Sequence, residues 1–245
     1  VTGVELHGDA SGRAMGWDGA VNAWHVSGGI YRMGRREWLT AAGWQDAFDD
    51  GIRTVVDLRN QAEVRQRDTD PAVVPDAVEV DVIAAPTEVP GDARFEAICG
   101  PYLNNPAHYA ANAELFPAQL VGVFRAIAAG AEEGDVVVHC AAGRDRSGMI
   151  AAMVQHLAGD SDQDIAAGYE RAARGINERY RTHGPPHARE RYLKEAELAP
   201  LLAVRRELVV RFVRDLDPRT YLLRHGLPAA DLDAVCRLAG AAVAP

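Results

Sequence analysis

The sequence has little cysteine: three residues, Cys99, Cys140 and Cys236, in a chain of 245. An odd, sparse set argues against a disulfide scaffold and suits a reducing compartment, so a cytoplasmic protein is expected. Long apolar runs are also missing. None approaches the roughly 18–20 residues that a membrane helix needs, so stable membrane insertion is not expected. The start, Val1-Thr2-Gly3-Val4-Glu5, has no basic stretch followed by an apolar core, so no signal peptide is read there. It also lacks an initiator methionine, which points to trimming upstream. Positive charge is in deficit, with 26 basic against 35 acidic side chains and a formal charge of −9. That excludes a global nucleic-acid footprint, and no nucleic-acid partner is expected, while a local basic cluster stays open. There is no Gly-x4-Gly-Lys-Ser/Thr nucleotide loop. His183 and His187 flank Gly184-Pro185-Pro186, which breaks helical i,i+4 geometry, so neither a metal site nor a cofactor is expected.

What is there is ordinary for a globular chain: 48% hydrophobic and 25% charged residues. The length allows one large domain with a helical annex, and residues 1–245 are read as a single domain. Residues 1–20, rich in Gly and Asp, read as a loose arm. Val21 to Met33 alternates and turns at Gly28-Gly29, as a hairpin does. Thr40 can cap a helix that stops at Gly51. Ile52 to Leu58 reads as a buried strand, Gln61 to Asp68 as a short helix, and Val78 to Ile83 as another strand. From Pro86 to Pro106 the pattern dissolves. Phe116, Leu120, Val123, Phe124 and Ile127 then recur at helical spacing. Val136 to His139 reads as a strand, and residues 147–245 as helical throughout, with segments near 147–158, 162–182, 187–198, 200–216 and 228–239. Strands alternating with helices imply an α/β fold: a central, mainly parallel sheet flanked by helices. A ligand then binds beyond the C-terminal ends of the strands.

The stretch Val136-Val137-Val138-His139-Cys140-Ala141-Ala142-Gly143-Arg144-Asp145-Arg146-Ser147-Gly148 carries the chemistry. An apolar strand ends at a cysteine, five residues follow, and an arginine opens a helix. Such a loop aims backbone N–H groups at one spot and favours a thiolate there. Arg146 adds a planar fork that matches two oxygens of a phosphoryl group. Ala141, Ala142, Gly143, Arg144 and Arg146 are thus the expected phosphate binders around the nucleophile Cys140. The bland alternative, a buried cysteine in a strand-to-helix turn, explains Cys140 alone and leaves Gly143, Arg144, Arg146 and Ser147 unaccounted for.

This stretch resembles the Cys-x5-Arg signature of the protein tyrosine phosphatase superfamily. Three further segments are similar to its tyrosine/serine phosphatase branch, which includes lipid-active bacterial members. They are Ile30-Tyr31-Arg32-Met33-Gly34-Arg35, Gly51-Ile52-Arg53-Thr54-Val55-Val56-Asp57-Leu58-Arg59 with Glu63, and Tyr221-Leu222-Leu223-Arg224-His225-Gly226-Leu227. The resemblance spans roughly residues 25–240 and implies a tyrosine/dual-specificity phosphatase-like fold with a helical lid, for which the 86–128 region is the source. Phe95, Ile98, Tyr102 and Leu103 would face the substrate there. Two positions depart from the branch: Met33 stands where serine is usual, and Arg144 where lysine is usual.

The implied activity is metal-independent phosphomonoester hydrolysis through a phosphocysteine on Cys140, with Arg146 holding the equatorial oxygens. Ser147 either donates to the cysteine sulfur or caps the helix. His139 either positions the loop or is a satisfied core histidine. The general acid is Asp145, with Asp92 second and Asp81 third; Asp145 in an ion pair with a nearby arginine is the structural alternative. Asp57 and Arg59 either line the pocket mouth or form a surface pair, Arg59 with Glu63. Arg32 and Arg35 are solvated charges or pocket edges. Cys99 is a packed thiol or a redox partner of Cys140, and Cys236 a packed thiol. The helix around Arg205, Arg206, Arg211 and Arg214 reads as an amphipathic packing helix. A phosphorylated protein is the first-ranked substrate, a lipid headgroup or soluble metabolite the alternative. A non-catalytic phosphate-binding module and a sulfur transferase are the competitors from other classes.

Overall fold

In this computed structural model, residues 12–72, 79–185 and 190–241 are described. Val78 and His187 lie outside them. The β1 strand (Trp24–Ser27) and β2 (Ile30–Met33) form the expected hairpin. After helix α1 (Ala41–Asp49), capped by Thr40 Oγ1 accepting from the Gly43 N–H at 3.1 Å, comes β3 (Ile52–Asp57). Then follow β4 (Asp81–Ala84), α2 (Ala93–Cys99), α3 (Tyr109–Leu115), α4 (Pro117–Gly130) and β5 (Asp135–His139). The chain closes with α5 (Arg146–Ala158), α6 (Asp162–His183), α7 (Glu195–Leu216), α8 (Pro218–Arg224) and α9 (Ala229–Leu238). The sheet order is β1-β2-β5-β3-β4; β1 pairs with β2 antiparallel, and β2–β5, β5–β3 and β3–β4 pair parallel.

The β-branched run Val136-Val137-Val138 makes β5 the centre of the sheet. Successive side chains on a strand point to opposite faces. Val136 and Val138 therefore join the large core under α4 and α5, while Val137 joins a smaller core with Met15, Trp17, Tyr31 and Leu39. Both faces are covered, as a parallel sheet requires. Register aligns Met33 and Asp57 with His139, so β2, β3 and β5 end at one level. Cys140 lies one residue beyond that level. No helix of the described residues is long and apolar enough to cross a membrane.

Several sequence expectations are corrected. Residues 12–20 of the N-terminal arm are packed: Ala14 bridges to Trp24, and Trp17 Nε1 donates to Asp50 at 2.8 Å. The Gln61–Asp68 helix shrinks to a single 3-10 turn, Gln61–Glu63, because Glu63 turns inward to an arginine rather than lining a helix face. β4 is a short exposed edge, with Val82 44% exposed. The 86–128 region is not one cover. Within it α4 is core: Phe116, Leu120, Val123, Phe124 and Ile127 are all buried, and the helix packs on β3, β5 and α9. Phe95, Cys99 and Leu103 also belong to the large core, whereas Ile98 is 52% exposed. The expected segments 187–198 and 200–216 merge within the described part into one helix, α7. Pro200 sits in its second turn, where it forgoes a single backbone hydrogen bond. Val209, Phe212 and Val213 face the core from α7, as an amphipathic helix should.

Candidate active site

The loop Cys140–Asp145 joins the C-terminal end of β5 to the N-terminus of α5. Its carbonyl groups are all turned outward and engaged. Ala141 O accepts from the Arg35 N–H at 3.1 Å, and Ala142 O from Asn22 Nδ2 at 2.9 Å. The buried Arg32 guanidinium donates to Gly143 O at 2.8 Å and Arg144 O at 2.9 Å. The Tyr109 hydroxyl donates to Asp145 O at 2.9 Å. With every carbonyl held from behind, the N–H groups of Ala141 to Asp145 form no hydrogen bond within the described protein. A strand-to-helix loop so arranged is a nest of amides for one anion. Gly143 is required by this geometry: its φ is +65°, and a Cβ there would come within 2.6 Å of Gly34 N and 2.7 Å of Met33 C.

Cys140 is buried beside Ser147, its Sγ 3.6 Å from Ser147 Oγ. Ser147 Oγ also accepts from Arg32 at 3.3 Å. Ser147 does not cap α5; it lies inside the first turn, and no side chain caps that end. His139 Nε2 lies 3.3 Å from Asp57 Oδ2, fully buried.

Arg146 is gripped by Glu63 through two bonds, Nη1 to Oε2 at 2.6 Å and Nη2 to Oε1 at 2.7 Å. Burial pulls the pKa of Arg146 down, but Glu63 and Glu88 more than restore it, so it stays charged. A guanidinium has five N–H donors, so three remain for a ligand. Arg59 therefore does not pair with Glu63. It donates to Asp57 at 2.9 and 2.7 Å and to Glu37 at 3.0 and 2.8 Å, and it is buried rather than a surface charge. Burial pushes Asp57 up, yet the Arg59 and His139 bonds win and hold its carboxyl far below the usual range. Arg35 is likewise buried and paired, with Asp70 at 2.6 Å and Glu37 at 3.2 Å. Neither Arg32 nor Arg35 is a solvated charge.

Of the proposed acids, Asp145 lines the cavity, but both its oxygens are engaged: Oδ2 with Arg144 Nε at 2.6 Å, Oδ1 with the Tyr169 hydroxyl at 3.1 Å. Arg144 also pairs with Glu190, at 3.3 and 2.9 Å. Asp92 is spent as the cap of α2, accepting from the Arg94 and Phe95 N–H groups. Asp81 is at the wrong end of the sheet: it opens β4, three residues before Ala84, the residue level with Asp57. The residue that the sequence reading missed is Glu88. It lies just past β4, 1% exposed, with Oε1 3.4 Å from Arg146 Nη1 and Oε2 accepting from the Thr87 hydroxyl at 2.5 Å. Burial raises its pKa, helped by the charge of Glu63, against the opposing pull of Arg146. An acidic residue four positions past Ala84, the end of a strand of the same sheet, was the signal available in the sequence. Asn22, Tyr109 and Tyr169 were missed too, and nothing in their local sequence marks them.

Burial, with the charge of Glu88, pushes the Cys99 thiol up to about 11, the profile of a packed thiol rather than a redox partner. Burial likewise raises Cys236. Among the described residues no group of His, Cys, Asp and Glu is placed to hold a metal. A cavity of about 670 Å³ opens over Cys140, with Tyr102 and Leu103 forming one wall.

The model of the tyrosine phosphatase family matches residues 18–237. No curated protein matches the chain. Among solved structures, TpbA of P. aeruginosa in complex with pTyr is 17% identical, with a TM-score of 0.45, over 91% of this chain and 100% of that one. The core catalytic domain of the PP-IP phosphatase SIW14 from S. cerevisiae, in complex with citrate, is 15% identical, with a TM-score of 0.36, over 82% and 94%. A family match over nearly the whole chain, centred on a strand-borne cysteine inside an anion nest, shows that the chain belongs to the tyrosine phosphatase family and is a cysteine-dependent phosphatase.

Proposed function

We propose that this phosphatase hydrolyses phosphomonoesters through a phosphocysteine intermediate at Cys140. The observation that carries the reading is the set of loop carbonyls held outward by Arg32, Asn22, the Arg35 N–H and Tyr109, which leaves the amides of Ala141 to Asp145 for the phosphoryl oxygens. The Cys140 thiolate attacks phosphorus in line, and the ester P–O bond breaks as the S–P bond forms. Arg146 and the amides hold the equatorial oxygens as charge shifts onto them. Glu88, whose carboxyl burial shifts toward its protonated form, gives its proton to the leaving oxygen. Water then attacks phosphorus and loses a proton to the Glu88 carboxylate. The S–P bond breaks, and the Ser147 hydroxyl steadies the departing thiolate.

Asp145 acts in this scheme as a positioning residue. It ties Arg144 to the loop and, through Tyr169, the loop to α6. Asp57 and Arg59 hold the end of β3 against His139 and Glu37. Of the two substrate classes read from sequence, a phosphoprotein or a phosphorylated small molecule or headgroup, the second is favoured by the cavity. Its volume, about 670 Å³, suits a small molecule. A reducing, cytoplasmic setting is part of the proposal, because a nucleophilic thiolate oxidises readily.

The deciding experiment is phosphate release from an aryl phosphate by wild type and Cys140→Ser, with and without chelator. Turnover by wild type is expected to need no metal and to be blocked by vanadate. Cys140→Ser is expected to retain anion binding with turnover below ~1% of wild type. Residual turnover above that level, or metal-restored activity after chelation, overturns covalent catalysis by Cys140.

A further inference from the structure

A second cavity, of about 310 Å³, adjoins the one over Cys140. The two share Tyr102, Arg144, Tyr180 and Glu190, so the Arg144–Glu190 pair stands in the wall between them. Elsewhere the second cavity is walled by Ala173 of α6 and by Leu193, Leu198, Leu201 and Leu202. Its volume is at the lower end of the range for small-molecule pockets. Most of the charged and amide groups facing it are spent. Arg144 is held by Asp145 and Glu190, and both Glu190 oxygens are held by Arg144. Arg191 pairs with Glu197 at 2.7 Å, and Asn177 bonds both the carbonyl and the N–H of Leu193. Arg205 of α7 differs. It forms no ion pair among the described residues; its Nη1 donates to the Tyr169 hydroxyl at 3.3 Å, and its buried Nε has no hydrogen-bond partner. A buried donor without an acceptor is costly, and more so when it belongs to a cation.

We propose that this cavity binds a small molecule with an apolar body and one carboxylate, the carboxylate on Arg205 and the body among the leucines. A guanidinium fork matches the two oxygens of a carboxylate. Its one positive charge balances one negative charge, where a phosphomonoester brings nearly two. The site is tied to the catalytic loop. The Tyr169 hydroxyl, which accepts from Arg205, donates to Asp145 Oδ1 at 3.1 Å. A carboxylate on Arg205 offsets the positive charge behind Asp145, and two anions on either side of one loop repel each other. Occupancy therefore weakens phosphoryl binding at the nest. By linkage, a phosphoryl group in the nest weakens the affinity for the carboxylate by the same factor. The carboxylate site stands on its own geometry; its effect on the nest rests on the phosphatase reading of Cys140.

Isothermal calorimetry on the intact chain tests both parts, with phenylbutyrate, octanoate and acetate as acids, phenylbutyramide as the neutral match and vanadate in the nest. Phenylbutyrate and octanoate are expected to bind more tightly than acetate, and phenylbutyrate about tenfold or more tighter than its amide. Arg205→Leu is expected to abolish the difference between acid and amide, Arg205→Lys to keep most of it, and Leu201→Trp to block both by filling the cavity. Arg237→Ala on the exposed side of α9 is expected to change nothing. Leu201 is half-buried, so its variant reports on the site if Arg205→Leu does not fold. Rising vanadate is expected to raise the apparent Kd of phenylbutyrate to a plateau of about fivefold. A Kd that climbs without limit places the acid over Cys140 and overturns the second site. So does the absence of binding by any of the acids, equal binding of acid and amide, or binding that Arg205→Leu and Leu201→Trp leave unchanged. A Kd that stays flat with vanadate bound overturns the coupling alone. Failure of the wild type to bind vanadate and to hydrolyse an aryl phosphate overturns the phosphatase reading instead.

Discussion

Glu63 holds Arg146 with both carboxylate oxygens, at 2.6 and 2.7 Å, across 83 residues of chain. The pair holds the guanidinium beside the Cys140 loop without consuming all its donors. Glu63→Gln keeps the shape but removes the charge that fixes the fork. Misplacing such a group by about 1 Å costs on the order of 10²-fold in rate. Steady-state kinetics on an aryl phosphate are expected to show a loss of about that size. An unchanged kcat/KM shows that the loop alone orients Arg146.

Arg32 is the buttress of the loop, donating to two carbonyls and to Ser147 from a fully buried position. Arg32→Met leaves those carbonyls without donors. Hydrogen bonds to charged groups contribute about 1.5–3 kcal/mol each, so a loss of about 3 kcal/mol is expected. For a chain of this size that lowers Tm by roughly 6–12 °C. Scanning calorimetry of the variant, with vanadate binding measured alongside, checks both the fold and the nest. A variant with wild-type Tm and affinity shows that the loop is self-supporting.

Glu88 and Asp145 are separated by leaving-group dependence. A general acid matters most where the departing alkoxide is most basic. Glu88→Gln is expected to slow alkyl phosphates far more than activated aryl phosphates, and Asp145→Asn to slow both alike. The pH profile carries a sign. Burial raises the pKa of Glu88, and its protonated form is the donor, so turnover of alkyl phosphates persists above the usual carboxylate range and falls as pH rises through the raised value. Glu88→Gln should remove that descending limb. The opposite pattern, with Asp145→Asn selective for alkyl phosphates, returns the acid role to Asp145.

Acid should unfold the site from the Asp57 side. Bonds from Arg59, and from His139 or Arg146, depress Asp57, Glu37 and Glu63 despite burial. A depressed folded pKa contributes stability that is present above the unfolded value and lost as pH falls below it. Denaturant midpoints are expected to be flat near neutrality and to drop below about pH 4–5. Asp57→Asn should be less stable at pH 7 and show a shallower drop. A midpoint that falls equally steeply in Asp57→Asn assigns the acid sensitivity elsewhere.

Local neighbours in the chain decided part of this protein. The Val136–Val138 run, Cys140, Gly143 and the helix opening at Arg146 are contiguous, so strand, nest and nucleophile are legible from their order. The periodicity of Phe116 to Ile127 gave α4 as a helix for the same reason, since one face repeats every turn. What α4 packs against was decided only in three dimensions, and it proved to be the core rather than a lid. Partner choice also belonged to the tertiary structure. Glu63 lies four residues after Arg59, yet it pairs with Arg146, because the end of β3 aligns Asp57 with His139 and the 3-10 turn carries Glu63 over α5. Asn22, Arg32 and Tyr109 hold the loop from behind, more than 30 residues away in sequence. Backbone geometry follows from adjacent residues, but which charges meet in the interior depends on how the sheet brings strand ends together.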